Sequence, residues 1–174
     1  MIFAVVGPSG SGKDTLIRGA LAARPDLRRV RRVITRPEAA GGEDFEGVSP
    51  ALFAARKAVG EFALDWQAHG LCYGIPKAAL AEPGDVIFNG SRAAIAAAPG
   101  AIPGLRVIVV TAPEPILAAR LAARGRETKA DIRARLARAS LALPPGIDTV
   151  TVLNDDTHEA GIARLLAALQ PPSA

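Results

Sequence analysis

The chain is predicted to be an α/β protein, a mostly parallel five-stranded sheet held between helices. Three observations predict it. Apolar runs of strand length alternate along the chain with segments of helical apolar spacing, the pattern of strands covered on both faces. A glycine-rich turn, Gly7-Pro8-Ser9-Gly10-Ser11-Gly12-Lys13, separates the first such run from the first helical segment. An apolar content of 49% over 174 residues is sufficient for one buried core, so residues 1–174 are expected to form a single domain.

Ile2-Phe3-Ala4-Val5-Val6 is a continuous apolar run and the first strand, and Asp14 to Ala23 carries Leu16, Ile17, Ala20 and Leu21 at helical spacing before Pro25 ends it. Val30 to Thr35 reads as a second strand, with Arg28, Arg29, Arg31 and Arg32 marking an exposed edge. Arg36 to Val48 is a polar loop, after which Ser49-Pro50 opens a helix running to about Val59. Phe62 to Trp66 and Gly70 to Gly74 read as short strands and Pro76 to Ala81 as a helical turn, so that about 36–83 forms a small insertion. Asp85 to Phe88 and Arg106 to Thr111 resume the buried-strand pattern, with a helix from about Arg92 to Ala98 between them. Pro113 to Ala123 and Lys129 to Leu143 are helical in spacing, and the polar segment between them, about 124–130, is a candidate lid. Thr149 to Leu153 is the last strand and Thr157 to Leu169 the last helix. Insertion and lid are expected at the carboxyl edge of the sheet, where ligands bind in open α/β folds.

Lys and Arg total 21 against 17 Asp and Glu, a formal charge of +4. That excess suits a polyanionic small molecule and does not call for nucleic acid. The single cysteine, Cys72, makes no internal disulfide, which fits a reducing, cytoplasmic setting. The apolar opening is far too short to span a membrane and has no basic stretch before it.

Gly7 to Lys13 has the G-x-x-x-x-G-K spacing of the phosphate-binding loop, in the required context between strand and helix. Its amides and the helix N-terminus are expected to cradle the phosphates of ATP, with Lys13 reaching the β- and γ-phosphates as a catalytic cation. Asp14 stands where Ser or Thr usually supplies a hydroxyl to magnesium. Either its carboxylate ligates Mg²⁺, or it favours the helix dipole while Thr15 or water serves the metal. Arg36, at a strand end, is a candidate fork for an acceptor phosphate. Arg120, Arg124, Arg126, Arg133 and Arg135 gather on or beside the lid, and Arg124 and Arg135 are the preferred catalytic pair for charge growing on the transferred group. Tyr73 is a candidate acceptor contact, whereas Trp66, His69 and Cys72 read as structural.

Together Gly7 to Asp14, Ile34-Thr35-Arg36-Pro37, Gly42-Glu43, the stretch from Phe62 to Tyr73-Gly74-Ile75-Pro76, Asn89-Gly90-Ser91-Arg92 and Arg124-Gly125-Arg126-Glu127 resemble the guanylate-kinase-like group. Within it they are most similar to the ribose 1,5-bisphosphate phosphokinases of bacterial phosphonate breakdown. The resemblance runs nearly end to end, and Asp14 is usual in that family. It implies phosphorylation of ribose 1,5-bisphosphate by ATP to 5-phosphoribosyl 1-diphosphate, with magnesium. It also implies a lid near Arg124, an adenine contact near Asn154, and an acceptor site including Arg36, Glu43, Tyr73, Asn89, Ser91 and Arg92. Two alternatives remain, a guanylate or other nucleoside monophosphate kinase and an inactive binding module of the same fold. Leu64 and Ile75, at the probable places of polar guanine contacts, weigh against the first; the intact Gly12-Lys13 weighs against the second.

Overall fold

The computed structural model describes residues 1–40, 43–123 and 143–170. In chain order the elements are β1 (Ile2–Val6), α1 (Lys13–Ala23), β2 (Leu27–Arg29), β3 (Arg32–Ile34), β4 (Phe45–Gly47), α2 (Pro50–Ala58), β5 (Phe62–Ala68), β6 (Leu71–Pro76), α3 (Lys77–Ala81), β7 (Asp85–Asn89), α4 (Arg92–Ala97), β8 (Leu105–Thr111), α5 (Glu114–Ala123), β9 (Asp148–Leu153) and α6 (His158–Ala168). The expected helix over 129–143, all but its last residue, and the lid over 124–130 lie outside the described residues.

A five-stranded, wholly parallel sheet has the order β2-β7-β1-β8-β9. β1 is central because both its faces are apolar: Phe3, Ala4, Val5 and Val6 are all fully buried. Alternate residues divide between two cores, as the strand period requires. Phe3, Val5, Ile87 and Ile108 pack against Leu16, Ile17 and Ala20 of α1 and Leu165 of α6. Ala4, Val6, Val86 and Phe88 pack on the other face against Ile95 of α4 and against Leu64 and Ile75, which belong to a second sheet.

That second sheet has four strands in the order β4-β3-β6-β5, with β3 parallel to β4 and antiparallel to β6. It corrects the expected single strand over Val30 to Thr35. The chain pairs with β7 through β2, and the Val30 N–H donates to the Ile87 carbonyl at 2.9 Å. It then leaves the main sheet at Arg31, and β3 joins the second one. An unbroken β-branched run shows that a segment is extended but carries no sign of which neighbour it pairs with. Arg32 is the second correction, because the expected exposed edge residue is only 7% exposed.

The second sheet is braced by α2, whose N-terminus is capped by Ser49 Oγ accepting from the Leu52 amide at 3.1 Å. From its last turn Arg56 donates to Glu61 at 2.9 Å and to Glu46 at 2.6 Å, tying α2 to β4 and the entry of β5. The hydrogen bonds from Arg56, reinforced by its charge, hold the Glu61 carboxyl below the usual carboxylate range. A depressed carboxyl stabilises the fold above its unfolded pKa, and the contribution is lost as pH falls through the folded value. Arg56→Met is therefore expected to lower Tm by about 2 °C at neutral pH, with the deficit shrinking below about pH 4. Paired thermal melts across that range check it; a deficit independent of pH contradicts it.

Candidate active site

The carboxyl ends of the parallel strands converge on one edge. β1 runs into the glycine loop, β7 ends at Asn89, and β9 leads into Asn154. Register holds them level, Val5 standing beside Asn89 on one side and Ile108 on the other. The loop itself is tightly seated. Gly7 has φ +149°, and a Cβ there would lie 2.0 Å from the Val110 carbonyl oxygen. Gly12 has φ +88°, and a Cβ there would lie 2.5 Å from Asn154 Nδ2. Both positions demand glycine on two counts, backbone conformation and space. Lys13 Nζ donates to the Gly7 and Pro8 carbonyls at 2.9 Å each, spanning the loop. Gly12 caps α1 with no side-chain acceptor for its amides, and an uncapped helix N-terminus favours an anion.

Asp14 is exposed in the first turn of α1, where Oδ1 accepts from Asn89 Nδ2 at 2.9 Å. Thr15 follows it on the same turn. No cluster of three or more His, Cys, Asp or Glu occurs among the described residues. One exposed carboxylate beside a phosphate cradle nevertheless suits Mg²⁺, which takes one or two carboxylates and completes its shell with phosphate oxygens and water.

Asn154, expected near the adenine, follows the last strand at the same edge. It is 2% exposed, and Nδ2 donates to the Ser11 carbonyl at 2.7 Å beneath the loop. Its side-chain amide is held between Gly12 and Gly161, where added Cβ atoms would each approach to 2.5 Å, and its backbone carbonyl accepts from Arg120 Nη1 at 3.0 Å. The side chain thus supports the loop from below. Gly161→Ala, in α6 and remote in sequence, is expected to cost about 1–3 kcal/mol by overpacking and to weaken nucleotide binding. Thermal melts with and without ATP check it; unchanged ATP stabilisation contradicts the coupling.

In the loop after β3, the Arg36 guanidinium lies over the Phe45 ring at 4.4 Å from its centroid. Glu43, expected as an acceptor contact, is ion-paired with Arg32, whose Nε and Nη2 both reach its carboxylate. Tyr73 stacks on Trp66, with ring centroids 5.3 Å apart and planes 4° from parallel. Ser91 Oγ caps α4 by accepting from the Ala94 amide at 3.3 Å. Arg92 is the first residue of that helix, and burial pulls its guanidinium below its ordinary pKa. Leu64 and Ile75 are 5% and 0% exposed in the core, so neither presents a polar group. The structure therefore brings Gly7 to Thr15 together with Asn89, while Arg36 and Tyr73 belong to the second sheet and its loop. Arg124 and Arg135 lie outside the described residues. Sequence reasoning missed Phe45 and Arg32; the available signal for Arg32 was its place between Val30 and Ile34 on one strand period.

No family model matches the chain. A ribose 1,5-bisphosphate phosphokinase PhnN from a Ruegeria species is 50% identical over 173 residues, covering 97% of this chain and 91% of that protein. A second, from Rhizobium etli, is 47% identical and covers 95% and 87%. A bifunctional ribose 1,5-bisphosphokinase-thymidine phosphorylase from Cupriavidus necator is 49% identical, and the chain spans 29% of its length. Among solved structures, guanylate kinase from Anaplasma phagocytophilum superposes with a TM-score of 0.59 at 18% identity, covering 97% of this chain and 85% of that one. A gluconokinase from Sinorhizobium meliloti gives 0.52 at 21%, covering 96% and 90%. At such identities these two show the fold, that of a P-loop kinase, and the half-identical, nearly full-length relatives show more: the chain belongs to the ribose 1,5-bisphosphate phosphokinase family.

Proposed function

We propose that the chain transfers the terminal phosphoryl group of ATP to ribose 1,5-bisphosphate, forming 5-phosphoribosyl 1-diphosphate and ADP, as a step of phosphonate breakdown. The observation that carries this reading is the pairing of an intact Gly7–Lys13 cradle with an acceptor side that offers Arg36 but no polar group at Leu64 or Ile75. An oxygen of the acceptor's 1-phosphate attacks the γ-phosphorus, the bond to the β,γ-bridging oxygen breaks, and ADP leaves. Lys13 and the loop amides hold the β- and γ-phosphates, and Arg36 anchors an acceptor phosphate. Magnesium, when bound, neutralises phosphate charge; Asp14, with Thr15 or water, would hold it.

In this reading residues 1–174 act as one kinase domain, with an acceptor-binding insertion at about 36–83 and a lid at about 124–130 that brings Arg124 and Arg135 to the transferring group. Tyr73, Asn89, Ser91 and Arg92 border the acceptor. The partner is a small sugar phosphate, with no part for nucleic acid or membrane. No helix among the described residues is long and apolar enough to cross a membrane, and a lone cysteine suits the cytoplasm.

The test is a side-by-side acceptor assay with ATP and magnesium, identifying the phosphorylated product. Ribose 1,5-bisphosphate is expected to exceed GMP in kcat/KM by at least about 100-fold, because a site without polar partners for a base discriminates poorly in its favour. Comparable efficiency with GMP returns the chain to the nucleotide kinases. Absence of turnover with any acceptor supports a binding module.

A further inference from the structure

Arg32 is the most connected buried cation among the described residues that the transfer reaction leaves without a role. Its Nε donates to Glu43 at 3.2 Å and its Nη2 also reaches that carboxylate, while Nη1 donates to the Asn89 carbonyl at 2.9 Å. The guanidinium lies 5.2 Å from the Tyr73 ring centroid and 5.9 Å from that of Trp66. Each partner leads toward one side of the reaction. Glu43 precedes β4, whose Phe45 carries the Arg36 guanidinium and stands opposite Arg32 in the β3–β4 register. Asn89 ends β7 and holds Asp14 through its side chain.

We infer that Arg32 is a positioning residue that sets the acceptor sheet against the phosphate loop, by gripping Glu43 on one side and the Asn89 carbonyl on the other. The inference rests on the acceptor lying beside Arg36 as proposed above. Its physical basis is geometric. The two sheets share an apolar core, to which Arg32 adds directed polar contacts, and phosphoryl transfer requires the attacking and leaving oxygens in line. A planar fork with fixed donor directions can hold two such partners at a set separation, whereas an ammonium on a flexible stem cannot.

Arg32→Lys keeps the charge and most of the stem but loses the fork. It is expected to lower acceptor kcat/KM by about 100-fold, while the Kd of ADP, titrated separately, changes by less than about twofold. Glu43→Gln, nearly isosteric, is expected to act in the same direction, and the double variant to be no worse than the worse single one, since both remove the same contact. A merely structural role would move Tm and ADP affinity together with the acceptor term. Wild-type acceptor kcat/KM in either variant, additive losses, or a parallel loss of ADP affinity overturns the inference. If Arg32→Lys fails to fold, Glu43→Gln decides alone. The cycle is run with whichever acceptor the wild-type chain uses best. A different preferred acceptor then defeats the sugar-phosphate reading, and only the variants defeat the role of Arg32.

Discussion

Lys13→Ala is expected to lower kcat by about 100- to 1000-fold while the folded state persists, the magnitude seen when one preorganised electrostatic contact to a transition state is removed. The lysine is not part of either core; it reaches across the loop surface to the Gly7 and Pro8 carbonyls at 2.9 Å. The contacts it gives up on truncation include its hydrogen bonds to the Gly7 and Pro8 carbonyls, about 1 kcal/mol each, so Tm should fall by only a few degrees. What the reaction loses is a positive charge placed where negative charge accumulates. An interaction made chiefly in the transition state appears in kcat and kcat/KM together, with a smaller effect on ATP affinity. Steady-state kinetics and an ADP titration on the same preparation separate the two. Near-normal kcat in Lys13→Ala would remove the lysine from the chemistry and with it the phosphate-loop assignment of Gly7 to Lys13.

The phosphate loop was legible because its physics is local. A buried strand, glycines at φ values that side chains disfavour, and a helix N-terminus are all written within residues 2–23. The cap at Ser49 was legible for the same reason, being satisfied three residues on; Ser91 and Thr157 cap α4 and α6 in the same way. The second sheet was only half legible. β5 and β6 form a hairpin, whereas β3 and β4 are three-residue strands whose pairing depends on distant partners. Arg32 shows why such sites resist sequence reading. Among four neighbouring arginines it is the one turned inward, and Glu43, Asn89, Trp66 and Tyr73, gathered from four other segments, make that burial tolerable. Asn154 is the complementary case: its place after the last strand was legible, but its downward orientation is set by Ser11 and by the space that Gly12 and Gly161 leave.

Removing the guanidinium of Arg36 should abolish acceptor use more selectively than any other single change on this side of the cleft. Arg36→Met keeps an unbranched apolar stem against Phe45 and deletes the charge and the fork. A charge-assisted, bidentate phosphate contact in a partly dehydrated site is a strong one, and its loss is expected to lower acceptor kcat/KM by about 100-fold or more. ADP affinity should change by less than about twofold, since the contact belongs to the other substrate. Arg36→Lys should recover only part of the loss, because an ammonium restores charge without the planar pairing. Phe45→Leu provides the graded control. The ring centroid lies 4.4 Å from the guanidinium carbon, close enough for a cation–π contact worth about 0.5–2 kcal/mol, so a loss of about three- to thirtyfold in acceptor kcat/KM is expected with Arg36 itself intact. The order Arg36→Met, Phe45→Leu, wild type in acceptor efficiency, at nearly constant ADP affinity, is the signature of an arginine aimed by its aromatic plate. If Phe45→Leu matches wild type while Arg36→Met fails, the ring is packing alone; if Arg36→Met keeps full acceptor efficiency, the phosphate anchor lies elsewhere.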